Sequence, residues 1–204
     1  MSSYLEDTAW FEELYADAEA GRREVPWDRG GPNPFLEQWA RERDVRGDGR
    51  SALVIGTALG DDAEMLAARG FAVTAFDVAP TAIERARRRF PSSSVDYRVA
   101  DLLALPEDLR GAFDLVAECI TVQALPVSLR DRAIDAIAST VAPGGTLVVV
   151  SGIHEGSGPR DGPPWPLTRA ELDRFELSLR PVSVSVARIG DAVRWRGEYI
   201  RPGE

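Results

Sequence analysis

Two glycines four residues apart, Gly56 and Gly60, close an apolar run that opens at Ser51, and two acids, Asp61 and Asp62, follow at once where a helix would start. Glycine lets a backbone come close to a ligand, and the first N–H groups of a helix point into the same space. Asp77 ends the next apolar run, about 20 residues past the first glycine, where a carboxylate can accept both hydroxyls of a ribose. Asp101 ends the third run, where an acid can accept from an adenine amino group. Three successive runs ending at polar positions around one crevice predict an adenosyl ligand. The loop reads Gly56-Thr57-Ala58-Leu59-Gly60, without the close glycine spacing that a dinucleotide pyrophosphate needs. Asp61 and Asp62 would repel that anion yet tolerate a sulfonium cation. The acids therefore point to S-adenosylmethionine rather than to a nicotinamide dinucleotide.

The elements that must position these residues are visible as a change of period. ALVIG (52–56), FAVTAFD (71–77), VDYRVAD (95–101), FDLVAE (113–118) and TLVVVSG (146–152) read as short strands bounded by Gly, Pro or Asp. DDAEMLAARG, APTAIERARRRF and PVSLRDRAIDAIASTV between them carry apolar residues every three or four positions and read as helices. Strand and helix alternate over residues 51–152, and near-continuous apolar strands suit a parallel sheet covered on both faces, a doubly wound α/β architecture. The tail from Pro181 to Arg201 has two period-two runs around Gly190-Asp191, which predicts an antiparallel β-hairpin. At the front, Leu5, Trp10, Phe11, Leu14 and Tyr15 mark an amphipathic helix over residues 4–20, and a turn-rich VPWDRGGPNP leads into a second helix at FLEQWARERD.

The 204 residues fit one domain: a helical lid over 1–45, a ligand-binding core over 51–152, and a loop, helix and hairpin over 153–204. No apolar run approaches the ~20 residues of a membrane span, and the acidic, aromatic N-terminus does not resemble a signal peptide. With one cysteine, Cys119, no intramolecular disulfide or thiolate metal cluster can form, and a reducing, cytoplasmic setting is expected. A formal charge of −9 disfavours nucleic acid as a partner. All 24 basic side chains are arginine, which removes Schiff-base lysine chemistry. The expected partner is a small molecule, met by a monomer or a homodimer.

The order LVIGTALGDDAEMLAARG, VTAFDVAPTAIERARRRFP, VADLLALP, FDLVAECITVQALP and APGGTLVVVSG resembles the class I S-adenosylmethionine-dependent methyltransferases across residues 51–152. PWDRGGPNPFLEQW (26–39) and GPPWPLTRAEL (162–172) are similar to the thiopurine methyltransferase-like branch, which includes thiol and halide methyltransferases. The resemblance implies a Rossmann-like seven-stranded sheet, mostly parallel with an antiparallel last strand. It places Gly56, Thr57, Ala58 and Gly60 along the donor, Asp77 on its ribose, Val78 beside the adenine, and Asp101 with Leu102 at the far edge. It also implies Glu118 near the sulfonium and Trp27 as a cover from the lid. Two departures stand out: Val54 replaces the acid usual two residues before the first glycine, and Ala58 replaces the middle glycine.

Methyl transfer from a sulfonium is an in-line displacement that leaves S-adenosylhomocysteine, so alignment and dryness matter more than a catalytic triad. A thiol acceptor ionises readily enough to need no base, whereas an alcohol or phenol needs help. Candidates for that help are Asp28, Glu118 and His154, the single histidine. Trp10, Trp27 and Trp165 are candidate walls of an apolar acceptor pocket, and Thr121 and Gln123, just past the fourth strand, are placed to position the acceptor. The expected activity is S-methylation of a small thiol in detoxification or secondary metabolism. An O- or N-methyltransferase and a binding-only protein are the alternatives.

Overall fold

The predicted strands form because alternate residues of each are buried on opposite faces of one sheet. The computed structural model describes residues 4–156 and 162–203, with side chains from Thr8 onward, so Leu5 lies outside the described side chains. In chain order the elements are α1 (Tyr4–Glu19), α2 (Pro34–Glu42), β1 (Ser51–Ile55), α3 (Asp61–Ala68), β2 (Ala72–Asp77), α4 (Pro80–Arg89) and β3 (Asp96–Val99). There follow β4 (Phe113–Cys119), α5 (Thr121–Ala124), α6 (Val127–Thr140), β5 (Val141–Ser151), α7 (Arg169–Asp173), β6 (Arg180–Ile189) and β7 (Ala192–Ile200). Leu53, Ile55, Val116 and Val149 share one apolar cluster with Ile134 and Ile137 of α6. Ala52, Val54, Leu115 and Val148 share the opposite one with Trp39, Leu66 and Ile83 of α2, α3 and α4. Each such buried side chain contributes roughly 1.5–3 kcal/mol relative to exposure, so these inner strands do much to offset the entropy of ordering the chain.

The sheet has seven strands in the order β3-β2-β1-β4-β5-β7-β6. β1 pairs in parallel with both β2 and β4, and β7 runs antiparallel to both β5 and β6. This is a Rossmann-like mixed sheet. The chain winds outward from β1 to β3, then crosses to β4 and winds the other way. That reversal opens a crevice at the carboxyl ends of β1 and β4, where ligands of open α/β sheets bind.

Two strand ends differ from the sequence expectation. β5 starts at Val141, which pairs with Phe113 ahead of a register shift, and Gly145 fits the irregularity because a Cβ there would lie 2.7 Å from the Phe113 carbonyl. β3 stops at Val99, and Asp101 instead caps a 3-10 turn by accepting the Leu103 N–H at 2.8 Å.

The front helices dock at opposite ends of the crevice. In α1, the Glu12 carboxylate accepts the Thr81 N–H at 3.1 Å and its hydroxyl at 2.5 Å, and Glu19 pairs with Arg88 at 2.7 Å, fastening the helix to α4. α2 starts with an Asn33 side chain accepting the Phe35 N–H, and its Trp39 indole donates to Glu198 of β7 at 3.1 Å. Residues 20–33 therefore cross above the strand ends as a strap. No helix among the described residues is long and apolar enough to cross a membrane.

Candidate active site

The crevice is walled by the loop after β1, the tips of β2 and β4, the turn after β3, and the strap. Gly56 lines it at φ +61, and a Cβ at this position would land on the Thr121 side chain, whose hydroxyl donates to the Ile55 carbonyl at 3.1 Å. The loop needs glycine here because two strands' connections touch. Gly60, at φ +94, faces Tyr97 rather than the crevice, and any Cβ would meet the tyrosine hydroxyl. Ala58 occupies the left-handed region at φ 51, the conformation the usual middle glycine would adopt without penalty. The Asp77 carboxylate accepts the Ala58 and Ala79 N–H groups, each at 3.0 Å.

Among the described residues, five carboxylates line the crevice, from Asp28, Asp61, Asp62, Asp77 and Asp101, against one cation, Arg29. Burial pushes the Asp77 carboxyl up to about 6 despite its backbone hydrogen bonds. Burial also raises Asp62, which accepts the Asn33 N–H at 2.6 Å and a bond from Cys119. Asp61 is raised by burial and partly restored by Arg89, 3.0 Å away. The thiol of Cys119, on the crevice wall, is raised by burial and by Asp62. The Trp27 indole donates to the Tyr15 hydroxyl at 2.8 Å, and its ring stands edge-on to Tyr15 at 5.8 Å. This roofs the crevice with aromatic surface.

An adenosyl cation fits these residues. Val78, Ala100 and Leu102 offer an apolar slot next to Asp77, whose carboxylate has lone pairs left for a diol. The Thr57 hydroxyl is buried in the crevice wall with no partner, an orphan that a bound polar group would satisfy. The negative lining suits a sulfonium and opposes a pyrophosphate.

The structure brings together Trp27, Asp28, Gly56, Thr57, Ala58, Asp77, Val78, Asp101, Leu102 and Thr121. It holds six other candidates away from the crevice, Gly60 among them. Glu118 is fully buried on the α6 face, where its carboxylate accepts the Val122 N–H at 3.0 Å and closes the turn after β4. It is absent from the crevice lining, its second carboxylate oxygen has no partner among the described residues, and burial raises it to about 7. Gln123 is buried and accepts the Gly152 N–H, joining α5 to the loop after β5. Trp165 donates its N–H to the Gln123 carbonyl at 2.7 Å, and the His154 N–H donates to the Leu167 carbonyl at 2.9 Å; neither residue lines the crevice. Residues 157–161 of the predicted acceptor loop lie outside the described residues. Trp10 stacks on Phe11 at 3.9 Å, behind the lining rather than in it. Arg29, Asn33 and Ile120 line the crevice without having been singled out from the sequence. The strap motif PWDRGGPN contained the signal for the first two, and nothing in the sequence marked Ile120.

Residues 52–145 match the family described as "Methyltransferase domain". A ubiquinone biosynthesis O-methyltransferase of Azotobacter vinelandii is 34% identical over 117 residues, covering 56% of this chain and 49% of that protein. The chain spans about half the length of the curated relatives it matches first. Among solved structures, one described for conversion of a disulfide bond into a thioacetal group during echinomycin biosynthesis superposes with a TM-score of 0.76 at 23% identity, covering 94% of this chain and 93% of the other. The Burkholderia thailandensis 1,6-didemethyltoxoflavin-N1-methyltransferase, solved with S-adenosylhomocysteine, gives 0.74 at 15% identity over 99% and 92%. The two segments that resembled the thiopurine methyltransferase-like branch lie outside the matched range 52–145.

Proposed function

We propose that this chain is an S-adenosylmethionine-dependent methyltransferase acting on a small, largely apolar acceptor whose nucleophile ionises readily. The observation that carries the reading is the acid-lined crevice at the β1/β4 reversal, with Asp77 at the ribose position and the orphaned Thr57 hydroxyl in its wall. The donor, when bound, supplies a methyl group already activated on a sulfonium sulfur. Asp77 would hold the ribose, Val78 and Leu102 the adenine, Asp101 its far edge, and Arg29 the donor carboxylate. Trp27 and Tyr15 exclude water from above, and holding two reactants in line can lower a barrier by roughly 7–11 kcal/mol.

The acceptor class follows from what the crevice offers as a base. Glu118 and His154 do not line it, and Asp28 is exposed at its rim, accepting the Gly30 N–H at 3.1 Å and facing Arg89 at 3.6 Å. Thiols and acidic phenols bring their own anion and need little more than Asp28. The relative named for O-methylation favours the phenol.

Thermal melting with S-adenosylmethionine, S-adenosylhomocysteine and NAD tests the donor. At about 100 times its dissociation constant a ligand adds ~2.7 kcal/mol of stability, expected for the first two alone. Labelled methyl transfer to 2-naphthol, 2-naphthalenethiol and aniline then separates oxygen, sulfur and nitrogen acceptors. Absence of any shift with either donor form would remove the assignment.

A further inference from the structure

Ile120 follows the last residue of β4 with φ 70 and ψ −2, in the left-handed region. A β-branched side chain there is a genuine outlier, since its methyl groups crowd the backbone. The other non-glycine residues with positive φ among those described are Asp44, Asp48 and Ala58, a pair of residues that tolerate the conformation and one small one. Such strain persists only where the surroundings over-determine it. Here they do: the Ile120 N–H donates to the Val150 carbonyl of β5 at 2.9 Å, Thr121 donates to Ile55 of β1, and Val122 donates to Glu118 of β4. Three strands thus lock one unfavourable turn.

The turn delivers Ile120, half-buried, to the crevice lining. Asp77, Val78, Asp101 and Leu102 gather at the tips of β2 and β3, on one side of Gly56, and Ile120 stands on the other, between β1 and β5. Its neighbours on that side are Thr121, Ala124 and Leu125, a largely apolar wall with one hydroxyl, and the Cys119 thiol just before it.

We propose that Ile120 is a specificity-determining residue that packs against the apolar body of the acceptor, its left-handed backbone being kept for that contact. The proposal rests on the methyltransferase reading of the same crevice. The occupant of this wall is a flat apolar molecule carrying one ionisable hydroxyl or thiol, and it binds beside the donor rather than in the donor's place.

The test uses full-length protein saturated with S-adenosylhomocysteine and titrated with 2-naphthol and 2-naphthalenethiol, followed by tryptophan fluorescence. Ile120→Asn, which tolerates the left-handed backbone but puts a polar group on the wall, should weaken at least one probe about tenfold and leave S-adenosylhomocysteine affinity within twofold. Ile120→Gly should weaken the probes similarly while raising the ligand-free melting temperature by about 2–4 °C, because the strain is gone. Unchanged probe affinity in both variants overturns the proposal, as does a parallel loss of donor affinity, which would make Ile120 part of the donor site. If wild-type protein binds S-adenosylhomocysteine but neither probe, the apolar acceptor wall is wrong while the donor reading stands. If S-adenosylhomocysteine itself does not bind, both fall.

Discussion

The Asp77 carboxylate accepts the Ala58 backbone N–H at 3.0 Å, tying the tip of β2 to the middle of the loop after β1. One side chain therefore shapes the glycine loop and, in the proposed function, would accept the ribose hydroxyls. With its carboxyl pushed up to about 6, donor binding is expected to depend on pH. Below that value Asp77 is protonated and can accept less, so S-adenosylhomocysteine affinity should fall by up to tenfold per pH unit under pH 6 and level off above it. Calorimetric titration from pH 5 to 8 checks this. Asp77→Asn should bind at least tenfold more weakly at pH 7.5 and show a flat profile, and a wild-type slope surviving in that variant would assign the titration elsewhere.

Ala58 carries a backbone penalty that glycine would not. The left-handed region costs about 1–2 kcal/mol for a residue with a Cβ, and glycine returns about 0.5–1 kcal/mol of that through greater freedom when unfolded. Ala58→Gly should stabilise the protein by about 0.5 kcal/mol, read as a higher urea midpoint at unchanged m-value. A lower midpoint would mean that the alanine methyl makes a compensating contact.

Glu118 sets the pH dependence of stability in the ligand-free state. Burial raises its folded value from 4.5 to about 7, so the folded protein holds this proton more tightly than the unfolded chain. The resulting contribution is fully present below pH 4.5 and is lost as pH rises through about 7, amounting to about 3 kcal/mol at most. Asp77 acts in the same direction between 3.8 and about 6. Melting temperature should therefore decline from pH 5 to 8, and Glu118→Gln, which needs no proton to stay neutral, should remove the part of the decline above pH 6. Equal slopes in the two proteins would show that Glu118 is hydrated in solution.

Arg130 is 1% exposed and donates to Glu171 at 2.6 Å, to the Trp165 carbonyl at 2.6 Å and to the Leu125 carbonyl at 3.3 Å. It joins α6 to the segment before α7 far from solvent. Arg130→Ala should cost about 3–5 kcal/mol, since it takes the donor from the Leu125 and Trp165 carbonyls and the cation from the Glu171 carboxylate, which keeps its bonds to Thr168. Replacing both charges, as Arg130→Met with Glu171→Gln, which keeps the Thr168 cap of α7, should recover more than half of that loss. Urea denaturation of the four proteins in this cycle measures it, and additive losses would show that the pair is not coupled.

The strands and the crevice were legible because parallel strands covered on both faces read as apolar runs, and because glycine and aspartate mark where they end. Asp77 reaches the crevice from such an end, and Asp101 from the turn just past another. Glu118 stands one residue short of the end of β4, and since side chains alternate between faces its parity turns it toward α6. A strand boundary uncertain by one residue is enough to reverse that outcome. Ile120 was invisible for a different reason: isoleucine opposes the conformation it adopts, so only tertiary hydrogen bonds reveal it. Gln123, Trp165 and His154 sit in connections whose paths are fixed by carbonyl partners distant in sequence, such as Leu167 for His154. No local pattern encodes those.

Cys119 is the sole thiol in the sequence, and it stands in the crevice wall beside Asp62. Burial and Asp62 keep this thiol neutral, so alkylating reagents meet it slowly at neutral pH; labelled at raised pH it is the one thiol address on the molecule, and occupancy of the crevice reads by mass spectrometry as further slowing.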